Sequence, residues 1–230
     1  MELSKRLQAV ADLVSEGQIV ADVGTDHGYI PIYLLETKKC EKAIAMDINK
    51  GPLLCAKEHI AEHGLNQKIQ VKLSDGVKAL SAGECDCVVV AGMGGALAVK
   101  IMEEGREVFK SLREFVLQPQ SELAKVRQYL WENEYCVIAE DMVLEDGKFY
   151  PMMKVKNGSS NPYTQLELRY GRELLMQKHP ILKIFLEKEM QTKEMIRGNL
   201  ESESGEHIEN RKRELQEELL LVKEALKVYL

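Results

Sequence analysis

The 230-residue chain has no apolar run long enough to cross a bilayer, so no membrane-spanning helix is expected. Its first residues, "MELSKRLQAVADLVS", also lack the uninterrupted apolar core and cleavage-site pattern of a signal peptide. Leu3, Leu7, Val10 and Val14 recur there at helical spacing, which predicts a folded helix. Cysteines are few and unorganised. The five of them (Cys40, Cys55, Cys85, Cys87, Cys136) are odd in number and scattered, a usage that fits reduced thiols in a cytoplasmic protein. Cys85 and Cys87 form a CxC pair, but no second pair or histidine cluster accompanies it, so a buried strand face is expected and no metal site. Positive charge is not in excess. The net charge of −6 neither requires nor excludes a nucleic-acid partner, because a local basic patch can supply phosphate contacts.

What is present is a regular alternation of β-rich and helical runs from residue 19 to about 156. Strands are predicted at "IVADVG" (19–24), "KAIAMDI" (42–48), "KIQVKLSDG" (68–76), "CDCVVVAG" (85–92) and "EFVLQP" (114–119). The first, fourth and fifth are nearly continuous apolar runs, as expected of central parallel strands covered on both faces. Helical patterns fill residues 28–39, 51–63, 95–110 and 121–134. Such βα units predict a doubly wound, Rossmann-like sheet with right-handed crossovers. Residues 136–156 read instead as a hairpin turning at Glu145-Asp146-Gly147, which closes the otherwise parallel sheet. A nicotinamide-binding fold would be expected to add a sixth parallel strand there.

"NGSSNP" (157–162) has the composition of a linker, which divides the chain into domains at 1–158 and 159–230. The second part reads as helical. Pro180 suits the first turn of a helix running to about Leu200, with Leu182, Phe185, Glu189, Thr192 and Ile196 on one face. "SESGEH" (202–207) breaks it. Leu215, Leu219, Val222, Leu226 and Tyr229 then form a 4-3-4-3 seam. Two such helices predict an antiparallel coiled-coil hairpin. Its Lys and Arg residues (Arg169, Arg172, Lys183, Arg197, Arg211, Lys212, Arg213) are candidates for phosphate contacts or for a solvated face.

Ligands of a doubly wound sheet bind beyond the carboxyl ends of the strands, so chemistry is sought in the loops there. In Gly24-Thr25-Asp26-His27-Gly28 two glycines permit a tight turn and a close helix start. The carboxylate of Asp26 would repel a pyrophosphate, whereas a cofactor with an ammonium group would tolerate it. S-Adenosylmethionine has that ammonium, a sulfonium and no phosphate. Asp47, 23 residues past Gly24, could take two hydrogen bonds from ribose hydroxyls or could cap the helix that follows. Asp75, in Ser74-Asp75-Gly76, could receive an adenine amino proton or form a turn with Gly76. Ala91-Gly92-Met93-Gly94-Gly95 lets a ligand approach backbone, and it lacks the Asn/Asp-Pro-Pro-Tyr motif of many exocyclic-amine methyltransferases. Gln118-Pro119-Gln120 offers amide groups to a base edge, and Tyr150 in "KFYP" could reach the same pocket from the hairpin.

Taken together, "LSKRLQAVADLV", "VADVGTDHGYIPIYL", "AMDI", "SDG", "VVVAGMGG", "VLQPQ" and "DGKFYP" resemble the bacterial tRNA adenine-22 N1-methyltransferases, the TrmK family. The pairing of "GTDHG" with "AGMGG" is the distinctive part. The resemblance covers residues 3–154 and implies a class I methyltransferase domain followed by a C-terminal coiled coil. It implies methyl transfer from S-adenosyl-L-methionine to N1 of an adenine in the tRNA D-loop. Cofactor residues would be Gly24, Asp26, His27, Gly28, Asp47, Asp75, Gly76, Gly92, Met93 and Gly94. Gln118, Pro119 and Tyr150 would border the substrate, and Asp26 is the candidate catalytic carboxylate. Other readings are methylation of another RNA or a small molecule, or a non-catalytic module whose coiled coil recruits a protein. The oligomeric state stays open.

Overall fold

A computed structural model describes residues 1–200 and 205–230. The chain divides into two compact units, Met1–Pro162 and Tyr163–Leu230. No helix among the described residues is long and apolar enough to cross a membrane.

The first unit opens with helix α1 (Lys5–Leu13), capped by the Ser4 hydroxyl, which accepts the Leu7 N–H. There follow β1 (Gln18–Val23), α2 (Tyr29–Glu36), β2 (Cys40–Asp47), α3 (Lys50–Glu62), β3 (Ile69–Leu73) and β4 (Cys87–Met93). Then come α4 (Gly95–Glu104), α5 (Arg106–Ser111), β5 (Glu114–Pro119), α6 (Leu123–Glu132), β6 (Tyr135–Glu145) and β7 (Lys148–Asn157). The seven strands form one sheet in the order β3-β2-β1-β4-β5-β7-β6. β1 to β5 are parallel, and β7 runs antiparallel between β5 and β6. The closing hairpin is the one expected from the sequence. It turns on Asp146 (φ 49°) and Gly147 (φ 74°), two successive left-handed residues whose twist suits a two-residue hairpin.

Alternation along the strands sorts the core into two layers. Ala21, Val23, Val88, Val90, Phe115 and Leu117 pack with Met102, Phe109 and Leu130 on one face. Val20, Ala43, Ala45, Val89 and Val116 pack with Val10, Ile32, Leu34 and Ile60 on the other. Each fully buried Val, Leu, Ile, Phe or Met among them contributes roughly 1.5–3 kcal/mol, so the apolar central strands set the register of the sheet. Cys85 and Cys87 belong to this interior, and burial pushes the Cys85 thiol up to about 12.

Two elements differ from expectation. The single helix predicted over 95–110 is divided at Gly105. A Cβ there would lie 2.1 Å from Val77 Cγ2, so glycine admits a close approach that a side chain would block. The strand predicted over 68–76 ends at Leu73, and Ser74 begins a turn in which its hydroxyl donates to the Gly76 carbonyl (2.8 Å).

Among its described residues the second unit has four helices, α7 (Gln165–Tyr170), α8 (Arg172–Met176), α9 (Pro180–Leu200) and α10 (Glu206–Lys227). The two short ones were not anticipated. A capping box starts α7, with Thr164 and Glu167 satisfying each other's backbone N–H. Pro180 does open α9, whose buried residues are Leu182 and Leu186. Thr192, expected on the seam, is exposed; Lys193 is the half-buried neighbour, pairing with Glu189 (3.5 Å) and with Glu218 of α10. Glu189 also receives Arg169 Nη2 (2.7 Å) and the Tyr170 hydroxyl (3.0 Å), which explains a carboxylate at a packed position. Leu215, Leu219 and Val222 are buried in α10 as expected. Residues 202–204 of the expected break lie outside the described residues.

Candidate functional site

β1 lies between β2 and β4, so the strand order reverses at the β1/β4 crevice, where such sheets bind ligands. A cleft of about 230 Å³ opens there, lined by Arg6, Leu7, Asp22, Gly24, Thr25, Asp26, Tyr29, Ile30, Ala91, Gly92 and Gln120.

The β1–α2 loop supplies one wall. Gly24 and Gly28 have φ of 73° and 75°, and Asp26 is also left-handed at 52°, a conformation that aspartate tolerates better than most residues. Backbone N–H groups of Gly24 and Thr25 both donate to the Met46 carbonyl, tying the loop to β2. The Asp26 side chain is 69% exposed at the mouth, with one oxygen 3.5 Å from His27 Nε2. His27, Tyr29 and His59 bring their rings together at 5.2–5.5 Å between centroids and within 30° of parallel. His59 Nδ1 lies 3.0 Å from the His27 carbonyl, a hydrogen bond when that nitrogen carries the proton.

Beneath the loop stands Asp22, 3% exposed, which shares a strand face with Val20. Burial raises its carboxyl from 3.8 to about 6, and the charge of Asp47 adds to the rise.

The other wall comes from the strand ends of β4 and β5. Gln118 is buried, and its Oε1 accepts from Arg6 Nη1 (3.0 Å) and the Gly92 N–H (3.1 Å). The Arg6 guanidinium also lies over Tyr150, 5.6 Å from the ring centroid. Gly92 has φ 80°, and a Cβ there would come within 3.5 Å of Arg6 Nη1. Met93 covers Gly24: a Cβ at Gly24 would meet Met93 Cε at 2.4 Å.

Of the residues singled out in the sequence, Gly24, Asp26 and Gly92 line this cleft together, as does Gln120. His27, Met93, Gln118 and Tyr150 contact its walls. Gly28 packs against Ala56, and Gly94 caps α4. Pro119 pairs with Met93 in the sheet. Asp47 is buried at the end of β2; one oxygen accepts the Asn49 N–H (2.8 Å), while Asn49 occupies the cap position of α3. The adjoining Ile48 is 60% exposed. Asp75 is turned to Lys78 (2.5 Å), which holds its carboxyl below the ordinary range, and Gly76 packs against Ile101. No cluster of three or more His, Cys, Asp or Glu among the described residues could hold a metal.

Sequence reasoning passed over Arg6, Asp22, Thr25 and Tyr29. Asp22 carried a signal, since it is the one charged residue inside the apolar run "IVADVG". Arg6 carried none, because its helix was read from its apolar stripe.

The Methyltransferase domain family model matches residues 3–153. Bacillus subtilis (strain 168) has a protein named tRNA (adenine(22)-N(1))-methyltransferase that is 37% identical over 172 residues, covering 74% of this chain and 72% of that protein. The crystal structure of the B. subtilis m1A22 tRNA methyltransferase TrmK superposes with a TM-score of 0.87 at 31% identity, covering 98% of this chain and 99% of that one. M. capricolum TrmK, solved with the cofactor product S-adenosyl-homocysteine, superposes with a TM-score of 0.86 at 25% identity over 99% of both chains.

Proposed function

We propose that this chain, which belongs to the tRNA (adenine(22)-N(1))-methyltransferase family, transfers a methyl group from S-adenosyl-L-methionine to N1 of adenine 22 in a tRNA D-loop, working in the cytoplasm. The observation that carries the reading is the β1/β4 cleft, in which Asp22 and Asp26 stand where a phosphate-binding fold needs an anion cradle. Two carboxylates suit a ligand end that carries an ammonium, and repel a pyrophosphate.

The residues present fit that cofactor. When bound, it supplies an electrophilic methyl group on a sulfonium. Asp22 and Asp26 would hold the ammonium, and Gly24 and Gly92 let backbone come close. Asp47 keeps one oxygen open for ribose hydroxyls, and the exposed Ile48 offers an apolar wall for a base. Asp75 would accept a hydrogen bond from the cofactor's adenine amino group in competition with Lys78. His27, Gly28, Gly76, Met93 and Gly94 shape these loops.

N1 of neutral adenine has an in-plane lone pair, so no proton has to be removed before attack. The protein's work is to hold the reactants in line and exclude water. The methylated base is cationic, and an exposed carboxylate at the cleft mouth is suited to stabilise it or to take an N6 proton; Asp26 is our candidate. Tyr150, Gln118 and Pro119 border the side from which the base would enter, after leaving its stack. Thermal melting tests the cofactor assignment: S-adenosyl-L-methionine should raise the melting temperature and NAD should not. Stabilisation by NAD alone would overturn it.

A further inference from the structure

We propose that Gln120 determines the specificity for the target base: its side-chain amide reads the N6/N7 edge of the adenine and so leaves N1 free to face the methyl donor. The inference deepens the function proposed above and rests on it.

The segment Gln118-Pro119-Gln120 carries two amides, and the fold spends one of them. Gln118 is buried; its Oε1 accepts from Arg6 and Gly92, and its Nε2 donates to the Pro119 carbonyl (3.4 Å). Gln120 is exposed and lines the cleft. Its backbone N–H donates to the Met93 carbonyl (2.8 Å), which fixes the residue beside the β4 loop. Its Nε2 lies 4.0 Å from the point that a Cβ on Gly92 would occupy. No hydrogen bond or ion pair engages the Gln120 amide among the described residues, so a donor and an acceptor are both free on the wall across from the β1–α2 loop.

Adenine presents N6–H and N7 side by side, a donor and an acceptor that one carboxamide matches with two hydrogen bonds. Reading the N6/N1 edge instead would put a donor on N1 and block its lone pair. Guanine shows the same amide two acceptors, O6 and N7, of which it can satisfy only one, and guanine N1 carries a proton. Methyl transfer forms the bond from N1 to carbon as the carbon–sulfur pair returns to sulfur, so positive charge passes to the base. N6–H then becomes a stronger donor, and its bond to Gln120 Oε1 tightens as that charge develops. The second N6 hydrogen, on the N1 side, is left for Asp26.

The test compares intact bacterial tRNA carrying adenosine at position 22 with the same tRNA carrying 7-deazaadenosine, which keeps N1 and N6 and replaces N7 by C–H. kcat/KM is measured with S-adenosyl-L-methionine for wild type, Gln120→Leu and Gln120→Glu. Intrinsic differences in N1 reactivity cancel when the adenosine/7-deazaadenosine ratio is compared between proteins. That ratio should be about three- to tenfold larger in wild type than in Gln120→Leu, the range of one neutral hydrogen bond. Gln120→Glu keeps an acceptor for N6 and loses the donor for N7, so its ratio should fall likewise, and it carries the test if Gln120→Leu fails to fold. A wild-type ratio in either folded variant, including an equal loss on both tRNAs, overturns the proposal and leaves the function standing. If wild type methylates neither tRNA, the function proposed above falls and this inference falls with it.

Discussion

Gln118 holds Arg6 in place: its buried Oε1 accepts Arg6 Nη1 at 3.0 Å and, on the same oxygen, the Gly92 N–H at 3.1 Å. One amide thus couples a side chain from the first helix to the backbone of the β4 loop. Gln118→Leu would leave both donors without their acceptor, at roughly 1–3 kcal/mol for each group that stays dry. We expect a lower melting temperature and weaker cofactor binding together. Gln118→Glu keeps an acceptor for both donors and should melt close to wild type. Chemical denaturation and calorimetry of the two variants check this; equal stability of wild type and Gln118→Leu would contradict it.

Asp22 predicts a pH dependence. Its carboxyl is raised from 3.8 to about 6 in the folded chain, chiefly by burial. A raised carboxyl favours the protonated folded state, so its contribution to stability is complete below pH 3.8 and is lost as pH rises through about 6. Over that window the loss is about 3 kcal/mol by proton linkage. Asp22→Asn should flatten this part of the stability curve. Binding runs in the opposite direction: an ammonium favours ionised Asp22, so cofactor affinity should fall as pH drops below about 6 in wild type and not in Asp22→Asn. Titrations from about pH 3.5 to 8 read both effects.

Asp47 separates a binding role from a local one. One oxygen already accepts the Asn49 N–H, which braces the entry to α3. Hydrogen bonds to a charged group contribute about 1.5–3 kcal/mol, so Asp47→Ala should raise the cofactor dissociation constant at least tenfold. Asp47→Asn keeps the Asn49 bond and should recover stability better than affinity. An unchanged dissociation constant in Asp47→Ala would leave the residue only its turn.

These residues also mark how far the sequence could be read. The central strands were legible because Val88–Val90 and Val116–Leu117 are apolar on successive residues, which only a doubly covered strand buries. The hairpin was legible because Asp146-Gly147 tolerates two left-handed positions in a row. The break at Gly105 depends on Val77, a residue far away in sequence, and no local pattern records that contact. In α9 the placement of Lys193 was hidden because it is half-buried through ion pairs with Glu189 and Glu218, whereas an apolar stripe counts only hydrophobic residues. The glycines and Asp26 of the cleft could be found from the loops that hold them. Arg6 could not, because its role comes from the packing of α1, which brings it to Gln118 and Tyr150.

The central claim is methyl transfer to N1 of adenine 22, and one map of the product tests it most directly. The chain is incubated with isotopically labelled S-adenosyl-L-methionine and unmodified bacterial tRNA, and the labelled nucleoside is identified and positioned by mass spectrometry. The account predicts labelled 1-methyladenosine at position 22 of the D-loop. Label in another nucleoside, at another position, or absent from tRNA altogether would contradict it.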